Sequence, residues 1–371
     1  MPRHPGRSGQ PSLQDVAALA GVSGQTVSRV VNGTAYVTPE TRRKVERAVA
    51  ELGYRANTAA RALATGRFGS VGMLCFDLTA VGNLFIVDEA IRCAQGSGYA
   101  ATLTTVPNPT SADLQAAVRG LTDRAVDGLL IIEGRILDTP SLHLPDDLPV
   151  VVAEGARDIP YAAVGVDHAE GAWLAVEHLL GLGHATVHHI SGLADSYPGV
   201  TRLEAWQGAL RRHGLPVPEP VAGDWSSASG YQAALRLLRD DAVTAIFAAN
   251  DQMALGALRA AADLGRKVPT ELSVVGYDDS EMAGYLVPAL TTIRQDLSSV
   301  GRRCMDLLIP AMRDSKPLPP VVDLLSPQLV VRASTRPPGQ REDGRGGPLP
   351  ARTAPDRANN LRSRAPRRRP A

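Results

Sequence analysis

Cysteine and lysine are equally scarce, and long apolar runs are missing altogether. The three cysteines, Cys75, Cys93 and Cys304, are odd in number, far apart and never arranged C-x-x-C, which argues against a disulfide framework and a zinc ribbon. No stretch approaches the ~18 consecutive apolar residues of a membrane span, and "MPRHPGRSGQPS" at residues 1–12 has no apolar signal-peptide segment. The expectation is a cytoplasmic protein with no membrane partner. The three lysines, Lys44, Lys267 and Lys316, follow no glycine, so there is no P-loop. No serine sits in a G-x-S-x-G elbow, and no G-x-G-x-x-G follows a strand. His184, His188 and His189 crowd "GHATVHHISG" without a carboxylate or cysteine at metal-ligand spacing. They read as a strand with one buried and one surface histidine. Neither an enzyme, a cofactor nor a metal is expected.

What is present is an ordinary core composition with an unusual charge distribution. Hydrophobic residues make up 44% of 371, enough for two or three domains. The net charge of +1 hides +6 in residues 1–67 and +7 in residues 336–371, leaving −12 between them. A basic head on an acidic body suits polyanion binding by the head, against the plainer reading of a solvated basic surface.

After an arm at 1–11 expected to be disordered, residues 12–56 read as three short helices. Leu13, Val16, Ala17 and Ala20 form the apolar face of the first. Gly21 and Val22 make a tight turn, Ser23 caps a second helix striped by Val27, Val30 and Val31, and Thr38-Pro39 opens a third that stops at Gly53. Such spacing is a helix-turn-helix, whose second helix places its N-terminal residues at base edges in the major groove. Gln25 can bond adenine bidentately and Arg29, one turn later, guanine. Thr26, Ser28 and Asn32 are short polar groups suited to phosphates. Gly24, the first position of this face, brings no side chain, so readout rests on Gln25 and Arg29. The competing reading is a small helical docking domain.

Residues 57–66 form an Ala-rich linker, helix-capable but too short to be stable alone. From 68 to 335, β-branched runs such as "SVGMLCF", "DGLLIIE", "LPVVVAE", "VTAIFAA" and "LSVVGY" alternate with amphipathic helical stretches. Near-continuous apolar strands alternating with helices predict parallel sheets covered on both faces, and the length predicts two such α/β layers with a cleft between them. Residues 336–371, rich in Arg, Pro and Gly, are expected to be a disordered tail.

Polar residues stand at the C-terminal ends of these strands, where open α/β sheets bind ligands. Glu154, Asp167, Asn250, Asp251, Asp278 and Asp279 do so, each alone more often a helix cap than a ligand contact, and together a converging polar rim. The chemistry suits a sugar. Asp278 could accept vicinal hydroxyl protons, Arg202 and Asn250 could bracket neighbouring hydroxyls, and Trp225 could offer a flat apolar face.

The runs "SLQDVAALAGVSGQTVSRVVNG", "VTPETRRKVERAVAELGYRAN" and "LVVRASTRP" resemble the lactose-repressor (LacI-type) family of bacterial transcription regulators, over residues 12–337. The resemblance implies base reading by Gln25 and Arg29 and backbone contacts by Thr26, Ser28, Asn32 and Tyr54. It makes 57–66 a hinge helix in which Leu63 wedges into the minor groove beside Asn57 and Ala60, with Ala56 where the family usually has proline. It implies a periplasmic-binding-protein-like body of two subdomains joined by a three-strand crossover. "GDWSSASGYQ", "AANDQMALGALRA", "SVVGYDDSE" and "LTTIRQD" look closer to the lactose repressor than to purine- or fructose-responsive branches. In that match Glu154, Arg202, Trp225, Asn250, Asp278 and Gln295 fall on inducer positions, Glu154 being one methylene longer than the expected aspartate. "DLTAVGNLFIVDE" departs from the family's N-P-F-F pattern, with Leu84 in place of the proline. The implied partners are a pseudo-palindromic double-stranded operator, a small sugar effector and a second copy of the chain in a homodimer. The implied function is a repressor of sugar-utilisation genes. The alternative is a solute-binding protein without DNA function, which would have no use for residues 13–64.

Overall fold

The computed structural model describes residues 11–32, 37–54, 67–76, 78, 81–106, 111–123, 126–132, 144, 147–155 and 159–339. The expected hinge at 57–66, and with it Asn57, Ala60 and Leu63, lies outside the described residues, as does 340–371.

Three helices form the head: α1 Leu13–Ala20, α2 Gly24–Asn32 and α3 Pro39–Leu52. Their ends follow from local chemistry. Ser12 and Asp15 make a reciprocal capping box, and Gly21 closes α1 in the left-handed region at φ 66°. Thr38 caps α3 ahead of Pro39, and Gly53 ends it at φ 62°. Val16, Val27 and Val45 are fully buried where the three helices meet, with Ala17, Val30 and Ala48 around them.

The body is two lobes, each built on a parallel sheet. In chain order the first lobe supplies β1 Ser70–Cys75, α4 Val81–Gly96, β2 Ala100–Thr105, α5 Ser111–Thr122, β3 Gly128–Ile132, β4 Val150–Ala153 and β5 Ala162–Val166. The second supplies α6 His168–Gly181, β6 His188–Ser191, α7 Tyr197–Arg212, β7 Val221–Ala222, α8 Ser227–Leu237, β8 Ala245–Ala248, α9 Asp251–Asp263, β9 Ser273–Asp278 and β10 Thr291–Arg294. The chain then returns through α10 Leu297–Asp314 and β11 Val322–Leu325, and ends at β12 Gln328–Val330. Among the described residues the sheet orders are β11-β5-β4-β3-β1-β2 and β12-β10-β9-β8-β6-β7, parallel except where β12 runs against β10. The central strands β3, β4 and β8 are buried along their whole length, as expected for sheets covered on both faces.

Among the described residues three connections cross between lobes. Asp167 joins β5 to α6, Gln295 and Asp296 join β10 to α10, and Ser326 and Pro327 join β11 to β12. Val300, Cys304, Met305 and Leu308 of α10 pack in the first core, whereas Ala172, Ala175, Val176 and Leu179 of α6 pack in the second.

The expected tail begins later than residue 336. Arg336 donates its N–H to Ser273 Oγ at 3.0 Å, and its carbonyl accepts from His184 Nε2 and from Ser273 Oγ, both at 3.0 Å. Ser273 and His184 are buried and need partners, so they fasten this segment to β9. His189 is fully buried between the rings of Trp206 and Phe247, and His188 is half-exposed, as the alternation anticipates.

Candidate functional site

In the head, Ser23 Oγ accepts from the Thr26 amide at 3.2 Å and lies 2.9 Å from the Thr26 hydroxyl, fixing the start of α2. Val27 and Val30 hold the helix to the core and leave Gln25 and Arg29 exposed on the opposite side. Thr26 and Ser28 are half-buried beside them. Tyr54 packs against the edge of the head's core. Gly24 has a packing role as well: a Cβ there would lie 3.2 Å from Leu13 Cδ2, so the glycine lets α2 approach α1 closely.

In the body, one arginine gathers the candidate ligand residues. Arg202 on α7 is 4% exposed. Its Nη1 donates to the Ala249 carbonyl at 2.6 Å, and its Nη2 reaches His168 Nδ1 at 3.3 Å and Gln295 Oε1 at 3.5 Å. The guanidinium carbon lies 3.6 Å from the centre of the Tyr277 ring and 5.7 Å from that of Trp225. Desolvated cation–π contact of this kind is worth about 2 kcal/mol. Nε has no hydrogen-bond partner among the described residues.

Asp278 ends β9 at φ 114°, with Oδ1 accepting from Gln295 Nε2 at 2.7 Å and lying 3.8 Å from Arg202 Nη1. Its side chain keeps 37% of its surface open, yet the surrounding walls withhold much of the bulk water. That desolvation pushes its carboxyl up to about 7, with Arg202 opposing. Neighbouring Asp251 is raised to about 6 by burial, against hydrogen bonds from Thr292 and Ser280. Asp251 fastens the loop after β9, holding Ser280 N at 2.7 Å and Thr292 Oγ1 at 2.5 Å. Asp279 is clamped by Arg294 and Arg332.

Two expected ligand contacts prove to be committed inside the protein. Asn250 caps α9, its Oδ1 accepting from Met253 N at 2.8 Å while its Nδ2 donates to the Trp225 carbonyl at 3.0 Å. One N–H remains for a ligand. Glu154, 6% exposed, accepts from Val166 N at 2.9 Å through Oε1 and meets His168 Nε2 at 2.5 Å through Oε2. Its longer side chain reaches an imidazole, so each of its oxygens already accepts one hydrogen bond within the protein. Asp167 likewise caps α6 through Glu170 N. Trp225 is half-buried before α8, its ring end lodged over Gly192 and Gly199.

The sequence did not reveal His168, Tyr277 or the Ala249 carbonyl. His168 lies two residues past the end of β5, behind an aspartate that reads as a helix cap, and no local signal marks it. Backbone strain marks the same place. Among the described residues five non-glycines have positive φ, and four are here: Glu154, Trp225, Asp278 and Asp279. Such strain persists where the surroundings over-determine it, as at ligand sites.

Residues 12–57 match the family of bacterial regulatory proteins, lacI family, and residues 176–335 match a periplasmic binding protein-like domain. The lactose operon repressor of Escherichia coli (strain K12) is 36% identical over 305 residues, spanning 80% of this chain and 84% of that protein. The chain belongs to the LacI family. The LacI-family regulator CelR of Thermobifida fusca is 34% identical over 88% of this chain and 99% of its own. Among solved structures, the Lac repressor dimer bound to operator and the anti-inducer ONPF matches with a TM-score of 0.79 at 34% identity, covering 88% of this chain and 99% of that one. A CelR–cellobiose complex matches with a TM-score of 0.65 at 32% identity, covering 88% of this chain and all of that one. This LacI-family chain is therefore a DNA-binding transcriptional regulator with a two-lobed sensing body, and its relatives are regulators, not enzymes. No helix among its described residues is long and apolar enough to cross a membrane.

Proposed function

We propose that this regulator represses sugar-utilisation genes in the cytoplasm as a homodimer on a pseudo-palindromic operator, and that a small sugar, galactoside-like, binds between its lobes. Gln25 and Arg29 read bases, Thr26, Ser28, Asn32 and Tyr54 hold the backbone, and Asn57, Ala60 and Leu63 enter the minor groove from the hinge. Arg202, Trp225, Asp278 and Gln295 meet the sugar directly, Asn250 through its remaining N–H. The observation that carries the effector reading is the Arg202 cluster. A buried guanidinium with an unpartnered Nε stands between an aromatic ring and a carboxylate at the strand ends. That is donor, apolar face and acceptor, the set a polyhydroxylated ring needs.

The relatives support the ligand class. One is recorded with cellobiose and the Lac repressor with ONPG. Exposed apolar residues on both lobes, Leu84 and Phe85 on α4 and Tyr285 and Val287 after β9, offer surface to a second copy. Occupancy of the cleft would rotate the lobes about the three crossings and change operator affinity only if the ligand prefers one of the two arrangements.

Isothermal titration against lactose, cellobiose, galactose, hypoxanthine and an amino-acid mixture tests the ligand class. A sugar should bind, with affinity lost in Arg202→Met. Binding of the purine or an amino acid alone would refute the sugar reading.

A further inference from the structure

Glu154 and His168 belong to different lobes. Glu154 follows β4 of the first sheet, while His168 opens α6, which packs on the second. Both are withdrawn from solvent, at 6% and 2% exposure, and they meet at 2.5 Å. The other nitrogen of the imidazole faces Arg202 Nη2 at 3.3 Å.

Donor and acceptor chemistry allows one arrangement of this triad. A carboxylate only accepts and a guanidinium only donates. The neutral ring must therefore carry its proton on Nε2, donating to Glu154, and offer the Nδ1 lone pair to Arg202. Protonation would set an N–H against the guanidinium. The remaining groups facing the ring are Asp167 beside it and the rings of Tyr197 and Tyr277, each centred 6.2 Å away. Burial lowers the pKa of His168, in keeping with a neutral ring.

The length of Glu154 matters to this contact. An aspartate would withdraw the carboxylate by about 1.5 Å, one carbon–carbon bond. A contact of 2.5 Å would become one of about 4 Å, outside hydrogen-bond range. The carboxylate is also held from its own lobe by Val166 N, and its backbone sits at φ 56°. It has little freedom to follow.

We propose that His168 is a positioning residue of the cleft, aiming the Arg202 guanidinium in the second lobe while bonded to Glu154 of the first. A ligand that draws on Arg202 then alters the polar link between the lobes, which couples occupancy to their rotation. The coupling half of this inference rests on the cleft being the effector site, as proposed above.

Three variants of the full chain test it, read by lactose and cellobiose titration, by operator binding with and without sugar, and by NMR of ¹⁵N-labelled histidine rings. His168→Asn places an amide oxygen near the position of Nδ1 but loses the bond to Glu154. It should keep sugar affinity within about threefold, while the ratio of operator affinities without and with sugar falls about tenfold, the scale of one charge-assisted hydrogen bond. Glu154→Asp should reproduce that loss of coupling, and His168→Ala should lose affinity and coupling together. The ring spectrum should show the Nε2–H tautomer at neutral pH, with that signal changed in Glu154→Asp. Full coupling retained in His168→Asn, an Nδ1–H tautomer, or a signal unmoved in Glu154→Asp would each overturn the proposal. Should neither sugar bind the wild type, the effector reading fails for these sugars, and the ring spectra still decide whether the triad exists.

Discussion

Replacing Gly192 with alanine should disable the cleft without touching a polar group. Gly192 is buried just beyond β6, and a Cβ there would fall 2.1 Å from Trp225 Cη2 and 2.3 Å from Cζ2. Carbon atoms in contact stand about 3.5–4.0 Å apart, so the ring must withdraw by about 1.5 Å. It cannot do so freely. Its backbone sits at φ 73°, and its carbonyl is held by Asn250 Nδ2. Gly199 also closes on the ring, near enough that a Cβ there would lie 3.3 Å from Cζ2. An overpacked site costs about 1–3 kcal/mol of stability. If the ring swings out instead, the cleft loses one aromatic face. That face is about a third of the ~200 Å² a tryptophan buries, or ~60 Å². At ~25 cal/mol/Å² this is about 1.5 kcal/mol, near tenfold in sugar affinity. Sugar titration and thermal melting of Gly192→Ala should show the combined loss. In a Trp225→Ala background the same glycine change should cost almost nothing. An equal penalty with and without the ring would refute the reasoning, as would a variant that binds and melts like wild type.

Three further expectations follow from the same geometry. A sugar that needs Asp278 ionised competes with protons, and with the carboxyl at about 7 its affinity should hold steady above about pH 8. It should weaken up to tenfold per pH unit as the pH falls through 7, a slope that titration should find absent in Asp278→Asn. Burial lowers His189 to about 4, so the unfolded chain binds its proton first and stability is lost as pH falls from about 6.5 toward 4. Melting at pH 6.5 and 5 should reveal about 2 kcal/mol of that loss in the wild type and a smaller one in His189→Asn. Arg29→Ala should cost about 1–3 kcal/mol on the best operator and relax preference at one base pair, with little change in salt slope. A uniform loss across all DNA sequences in a gel-shift series would instead make Arg29 a phosphate contact.

The head was legible almost to the residue because its signals are local. Gly21, Ser23, Thr38, Pro39 and Gly53 mark helix ends by side-chain and backbone chemistry, whatever lies around them. The long central strands were legible because burial on both faces leaves continuous apolar runs. Strands such as Val221–Ala222 and Gln328–Val330 carry no such run, and only their neighbours make them strands. The site divides along the same line. Arg202, Trp225 and Asp278 could be chosen by residue type and position. Their partners could not, since whether Asn250 caps a helix and Glu154 meets a histidine depends on which loops fold together. His168 follows an aspartate that reads as a helix cap, and nothing local distinguishes it.

The central claim is that the head's grip on DNA depends on what fills the cleft. Its direct test is fluorescence anisotropy of the full chain on the DNA upstream of its own gene, at one stated salt concentration, titrated with the sugar that binds best. The account predicts tight, sequence-selective binding that weakens at least tenfold as the sugar saturates, with Arg202→Met still binding DNA but no longer responding. An operator affinity unchanged at saturating sugar would contradict it.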